Sequence, residues 1–221
     1  MVRRLADGVW LLPLRMSNAY LVEDDALTLV DAGTPWDAGR LGRALDVLGH
    51  EVADVERILI THYDFDHVGA LSRLPFEAPV YARDPDASFL EGGERPPWTN
   101  RKGAFQRLSG VFLDAPDLDV HRVEDGDTVG SFDVHATPGH TPGHAAFVSD
   151  DRDVAAVGDL VFEEDGTLSS SPWALSYDTT AVRDSIDRLA READPFSVVA
   201  MGHGDPPTED GLDLFRRLAN R

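Results

Sequence analysis

The stretch Thr61-His62-Tyr63-Asp64-Phe65-Asp66-His67-Val68-Gly69 constrains this chain more than any other. It follows Arg57-Ile58-Leu59-Ile60, an apolar, β-branched run that reads as a buried strand. Two imidazoles and two carboxylates in six residues then stand at a strand end. Such a cluster is costly to bury unless a positive charge lies among the side chains. His nitrogen and Asp oxygen are both ordinary metal ligands, so a divalent cation fits. The competing reading is a solvated polar loop that holds two histidines.

Three later stretches repeat the pattern. Phe132-Asp133-Val134-His135-Ala136-Thr137 runs into Pro138-Gly139-His140, Val154-Ala155-Ala156-Val157 into Gly158-Asp159, and Val198-Val199-Ala200-Met201 into Gly202-His203. In each, a strand-like run meets glycine and then a ligand-type residue, and glycine permits a sharp turn or close approach. Strand ends that deliver side chains to one edge are how open α/β sheets build sites.

These residues resemble the metallo-β-lactamase-fold superfamily, close to its glyoxalase II-like hydrolases. The resemblance is carried by His62-x-Asp64-x-Asp66-His67, Thr137-Pro138-Gly139-His140-Thr141-Pro142-Gly143-His144, Gly158-Asp159 and Gly202-His203, with Leu29-Val30-Asp31-Ala32-Gly33 as an early strand and turn. It implies an α/β chain folded as an αββα sandwich, two mixed β-sheets flanked by helices, in a single domain over residues 1–221. It also implies two divalent metal ions, zinc first, with iron or manganese as alternatives. By resemblance His62 and His140 hold the first metal, Asp66, His67 and His203 hold the second, and Asp159 bridges them. Asp66 and His62 count as catalytic. The implied reaction is attack of a metal-bridging hydroxide on an ester, thioester or lactone carbonyl of a small molecule. The alternative is a mononuclear iron oxidoreductase of the persulfide dioxygenase type, built on His62, His140 and Asp159. A metal-binding domain without catalysis is a third reading, which the full ligand set opposes.

The chain departs from the family pattern at Asp64, where a third histidine is usual. As a ligand of the first metal, Asp64 would make the shell more anionic, favour hard cations and raise the pKa of bound water. A carboxylate at this place also resembles flavodiiron proteins, but the 18 residues after His203 are expected to be too few for their flavin domain. The glutathione-binding C-terminal extension of glyoxalase II is likewise not expected. Phe162 stands where quorum-signal lactonases usually have tyrosine, so neither substrate is assigned.

Composition narrows the classes further. There is no cysteine, which removes thiolate zinc sites and cysteine nucleophiles. Acidic residues number 40 against 20 basic ones, and Lys102 is the only lysine. Such a chain offers no run of charge for nucleic-acid phosphates, and its acidic shell suits a halophilic protein. No stretch approaches the ~20 apolar residues of a membrane span. The protein is expected to be cytoplasmic, with no membrane partner and an oligomeric state the sequence leaves open.

Along the chain, 8–12, 19–22 and 27–30 read as strands, and 36–49 as a helix with Leu41, Leu45 and Leu48 on one face and Gly49 as its stop. Val68-Gly69-Ala70-Leu71 is expected to open a helix whose N-terminus faces the site. Residues 84–116 fit no regular element and read as a lid or specificity loop, in which Trp98, Arg101 and Lys102 could grip an acyl chain or a carboxylate. Residues 118–157 read as a second group of strands, followed by helices at 181–193 and 211–219. Asp31 is either a turn residue or an acceptor that orients a ligand histidine. His144 has a possible helper role, and Tyr63 and Tyr177 read as packed or as oxyanion donors.

Overall fold

The computed structural model describes residues 1–221. Alternating apolar residues near the N-terminus build the first sheet. Strands β1 (Arg3–Ala6), β2 (Val9–Pro13), β3 (Asn18–Glu23) and β4 (Leu27–Val30) form an antiparallel meander. Strands β5 (Arg57–Leu59), β6 (Val80–Ala82) and β7 (Val120–Arg122) then add in parallel. The second sheet takes β8 (Thr128–Val129), β9 (Phe132–Ala136), β10 (Ala145–Ser149) and β11 (Val154–Gly158) as an antiparallel series. A separate hairpin, β12 (Val161–Glu164) and β13 (Thr167–Ser170), follows, and β14 (Val198–Met201) pairs in parallel with β11.

The two sheets meet face to face. Val9, Leu11, Val30 and Leu59 of the first pack against Phe132, Phe147, Ala156 and Val198 of the second. Phe132 and Phe147 are fully buried, and truncating either to alanine should cost about 3–5 kcal/mol. Helix α1 (Ala38–Leu48) lays Leu41 and Leu45 over Leu21, Leu29 and Ile58 on the outer face of the first sheet. Three short helices follow: α2 (Phe65–Val68), α3 (Asp86–Leu90) and α4 (Arg101–Ser109). Helices α5 (Thr179–Glu192) and α6 (Gly211–Ala219) cover the outer face of the second sheet through Val182, Ile186, Leu189 and Phe215. The architecture is the expected αββα sandwich of mixed sheets. No helix is long and apolar enough to cross a membrane.

Several local expectations are corrected. Strand β7 joins the first sheet by pairing Val80 with Val120, rather than the second group of strands. The β12–β13 hairpin was signalled by Asp165-Gly166, both of which take positive φ, as hairpin turns need. The helix expected to open at Val68 instead spans Phe65–Val68 and stops there, with a 3-10 turn at Leu71–Arg73. Its backbone is diverted: the amides of Ala32 and Gly69 donate to the carbonyls of His67 and Gly33, at 2.6 and 2.7 Å. Gly69 also lies so close to Pro35 that a Cβ would meet it at 2.3 Å. The region 84–116 is not irregular, since it contains α3, α4 and a 3-10 turn at Gly110–Phe112.

Candidate metal centre

The side chains singled out in the sequence leave the same edge of the two sheets. His62, Asp64, Asp66 and His67 follow β5, His140 follows β9, Asp159 follows β11 and His203 follows β14. Asp31, at the end of β4, has φ of 56° and turns its carboxylate back into this edge. It accepts from the Thr61 amide at 2.9 Å and the Thr61 hydroxyl at 2.8 Å, and from His67 Nδ1 at 2.9 Å. That is the orienting role, not the bare turn role.

Each of the four histidines is aimed by its Nδ1. With the Thr61 hydroxyl proton given to Asp31, the Thr61 oxygen is left to accept from His62 Nδ1 at 2.9 Å. His67 Nδ1 is held by Asp31, His140 Nδ1 lies 2.9 Å from Ser171 Oγ, and His203 Nδ1 donates to the Met16 carbonyl at 2.6 Å. Fixing a proton on Nδ1 turns Nε2 inward, where it offers a lone pair whenever it carries no proton of its own.

Inside, the donor atoms face one another. His62 Nε2 lies 3.4 Å and His140 Nε2 3.1 Å from Asp64 Oδ2, and His140 Nε2 is 3.6 Å from Asp159 Oδ2. His67 Nε2 is 3.5 Å from Asp159 Oδ1, and His203 Nε2 is 3.2 Å from Asp159 Oδ2 and 3.6 Å from Asp66 Oδ2. His62, Asp64, His140 and Asp159 cluster on one side and Asp66, His67 and His203 on the other, while a third close group, Asp31, His62 and His67, is the one in which Asp31 is already bonded to His67 and Thr61. Ligand atoms about 2.0–2.1 Å from a tetrahedral ion lie roughly 3.4 Å apart, and these separations match that edge. Buried His62 Nε2, His67 Nε2 and Asp159 Oδ1 have no hydrogen-bond partner. Orphaned polar atoms in a dry interior carry a desolvation cost, which a cation among them would remove. The donor set fits a metal site of dinuclear type. Gly202 makes the close approach possible, because a Cβ there would meet Asp159 Oδ1 at 2.0 Å and His67 Cε1 at 2.7 Å.

The two clusters differ in what covers them. His62, Asp64 and His140 are sealed, whereas the His203 side chain keeps 28% of its exposure. The seal is helix α4. Lys102 reaches inward, pairs with Asp64 Oδ2 and brings Nζ within 3.3 Å of His140 Nε2. Gln106, one turn on, donates to Asp64 Oδ1 at 2.9 Å and to the Tyr63 carbonyl. Tyr177 donates to the Gln106 side-chain oxygen. The expected grip of Trp98, Arg101 and Lys102 on substrate is therefore corrected: Lys102 is buried, Arg101 stacks over Trp173 at 3.6 Å, and Trp98 is an exposed neighbour of Arg107.

Asp86 also escaped the sequence reading. Fully buried, it accepts from the Tyr63 and Gly143 amides at 2.8 Å and from the Thr141 hydroxyl, tying the His62 loop to the His140 loop. His144 is buried with Nδ1 on Thr137 Oγ1 at 2.8 Å and lies outside both clusters. Tyr63 packs edge-on against Phe89 and Tyr177 is spent on Gln106, so neither phenol reaches the donors.

Electrostatics follow from these contacts. Burial works to raise the Asp64 carboxyl, but the Lys102 ammonium and the His140 and His62 rings hold it well below the usual carboxylate range. Burial and the same ammonium push His140 down to about 4, so its ring is neutral. Burial opposes a charge on His67, yet Asp159 and Asp31 raise it to about 10. His144 is pushed down by burial and by its neighbouring rings. Asp86 is raised by burial despite its donors.

A family model described as Metallo-beta-lactamase superfamily matches residues 12–203. The chain is 29% identical to the probable metallo-hydrolase YflN of Bacillus subtilis, over 97% of this chain and 92% of that protein. It is 30% identical to a hydroxyacylglutathione hydrolase of Bdellovibrio bacteriovorus, over 97% and 74% of the two chains. Among solved structures, TTHA1623 in a di-iron-bound form is 32% identical, with a TM-score of 0.70 over 93% of this chain and 94% of that one.

Proposed function

The chain belongs to the Metallo-beta-lactamase superfamily, and from that premise we propose that this metallo-hydrolase opens an ester, thioester or lactone carbonyl in a glyoxalase II-like reaction. The observation that carries the reading is the convergence of His62, Asp64, His140 and Asp159 beside Asp66, His67 and His203, with the inward Nε2 atoms of His62 and His67 and Asp159 Oδ1 left without a hydrogen-bond partner. These seven residues would hold the metal, with Asp159 facing both clusters. When bound, divalent metal supplies Lewis acidity and a water activated near neutral pH, and zinc, iron and manganese all suit the donors.

The chain's own residues do the rest. Asp31 and Thr61 hold His67 and His62 in one tautomer. Asp66 lies beside His203 on the open side, placed to take up a proton as water is consumed. His62 is sealed and serves by position. Phe162 stacks on His203 with ring centres 5.9 Å apart, giving the open side an apolar wall for the acyl part of a substrate. Similarity to a hydroxyacylglutathione hydrolase supports a thioester among the candidates. The mononuclear oxidoreductase reading is weaker, because it relies on His62, His140 and Asp159 where the Lys102 ammonium also lies.

The test is removal of metal with a chelator, followed by assay against a panel of thioesters, aryl esters and lactones. Hydrolysis should fall by at least ~100-fold and return with zinc, manganese or iron(II). Full activity in metal-free protein would overturn the reading. The excess of 40 acidic over 20 basic residues further supports a protein adapted to high salt. Its melting temperature should keep rising toward molar KCl, well past the range where simple screening saturates. A flat curve above ~0.3 M would refute that.

A further inference from the structure

We propose that Lys102 is a built-in counter-cation that closes the His62–Asp64–His140 side of the centre to metal. The first ion then enters the Asp66–His67–His203 side, and a second enters only when helix α4 lifts Lys102 away. This rests on the reading of the seven donors as a metal centre.

Lys102 is the only lysine of the chain and is 5% exposed. A lysine so buried is rare unless it is paired. Its partner atom is Asp64 Oδ2, the same oxygen that faces His62 Nε2 at 3.4 Å and His140 Nε2 at 3.1 Å. Nζ also lies 3.3 Å from His140 Nε2. The ammonium therefore stands on the atoms that an ion on this side would need. Ammonium and dication cannot share them, since each requires the same lone pairs and the two repel strongly in a dry site. Gln106, from the same helix, binds the other Asp64 oxygen at 2.9 Å. One helix thus holds both oxygens of one carboxylate.

Helix α4 is built to detach. Its buried residues are Lys102, Gly103 and Gln106, with no apolar anchor among them, while Phe105 and Leu108 are exposed. It is held to the body by polar contacts: Asn100 Nδ2 donates to the Tyr177 carbonyl at 3.2 Å, the Tyr177 hydroxyl donates to Gln106, and Lys102 and Gln106 reach Asp64. Beside it lies a cavity of about 280 Å³ lined by Tyr63, Phe89, Gln106, Arg107 and Val111, and by none of the seven donors. A segment held by polar contacts, with little apolar burial, belongs to the low-stability end of a fold.

Metal-free protein is titrated with Zn²⁺ and with Mn²⁺ by calorimetry, and bound metal is counted after gel filtration. The wild type should bind one ion tightly and a second at least ~100-fold more weakly. Lys102→Met and Lys102→Gln, each checked for folding by circular dichroism, should bring the second ion within ~10-fold of the first. In the wild type, binding of the second ion should raise amide hydrogen exchange across residues 101–109 and leave α5 unchanged. Two equally tight ions in the wild type would overturn the proposal while leaving the hydrolase reading intact. So would a folded Lys102 variant that still takes only one, or a second ion that binds without loosening α4. A wild type that binds no metal would bring down both.

Discussion

The two sides of the centre share Asp159 yet carry their positive charge differently. Beside Asp66 and His203, the charge of the metal-free chain is a proton, held on His67 because Asp159 and Asp31 raise that ring to about 10. Beside His140 the ring stays neutral, and on that side the charge arrives on Lys102 from a separate helix. Both arrangements answer the same cost, that of carboxylates buried without a cation. They differ in what must happen when metal comes. A proton leaves a ligand histidine in place as metal binds. A lysine has to move with the segment that carries it. The lesson is that a symmetric-looking donor set can be asymmetric in use, because a residue that is not a donor controls one side.

Single substitutions separate the sides most sharply. His203→Ala should remove the tight ion and lower hydrolysis by roughly 1000-fold, whereas His62→Ala should leave the affinity for the first ion within ~3-fold. Equal loss in both variants, measured by calorimetry, would erase the distinction. A smaller effect is expected from Asp31→Asn, which keeps the shape but weakens the hold on His67 Nδ1. Affinity for the first ion should fall by ~10–100-fold with the fold intact. An unchanged affinity would show that Asp31 serves the turn alone.

The smallest of the three effects belongs to the sealed side and is structural. Asp86 uses both oxygens as acceptors, so Asp86→Asn turns an amide NH₂ toward one of its three donors. The loss should be about 1–3 kcal/mol, or several degrees in melting temperature. The folded chain holds Asp86 above the ordinary carboxylate value. Its protonated form is thus favoured by folding, and its contribution is full below the unfolded pKa and lost as pH rises through the raised folded value. Asp86→Asn should flatten that acid-side slope of stability against pH. A variant with the same slope would assign the slope to other groups.

Much of this was legible locally. The strand-glycine-ligand runs ending at His140, Asp159 and His203 needed only their own residues, because period-2 apolar runs and sharp turns are properties of short segments. Helix α6 spans Gly211–Ala219 as its periodicity indicates. Asp31 was legible only as a turn residue or an orienting acceptor, and the pairing of β4 with β5 decided between them by bringing it to Thr61 and His67. The early end of α2 was not legible, since it depends on backbone bonds to Ala32 and Gly33, more than 30 residues away.

What the sequence by itself determined is the set of ligand-type side chains that come together, the strand ends that carry them and the acidic excess of the chain. What only the tertiary structure decided is where the counter-ion of the buried carboxylates comes from. Lys102 stands 38 residues after Asp64 and 38 before His140 in a segment without apolar rhythm. Its partner is set by where α4 docks, through Asn100, Gln106 and Tyr177, and docking by polar contacts leaves no period in the sequence. A single lysine among 40 acidic residues was the one visible sign. Burial against Asp64 made it part of the centre, because a charge withdrawn from water must find its complement within reach.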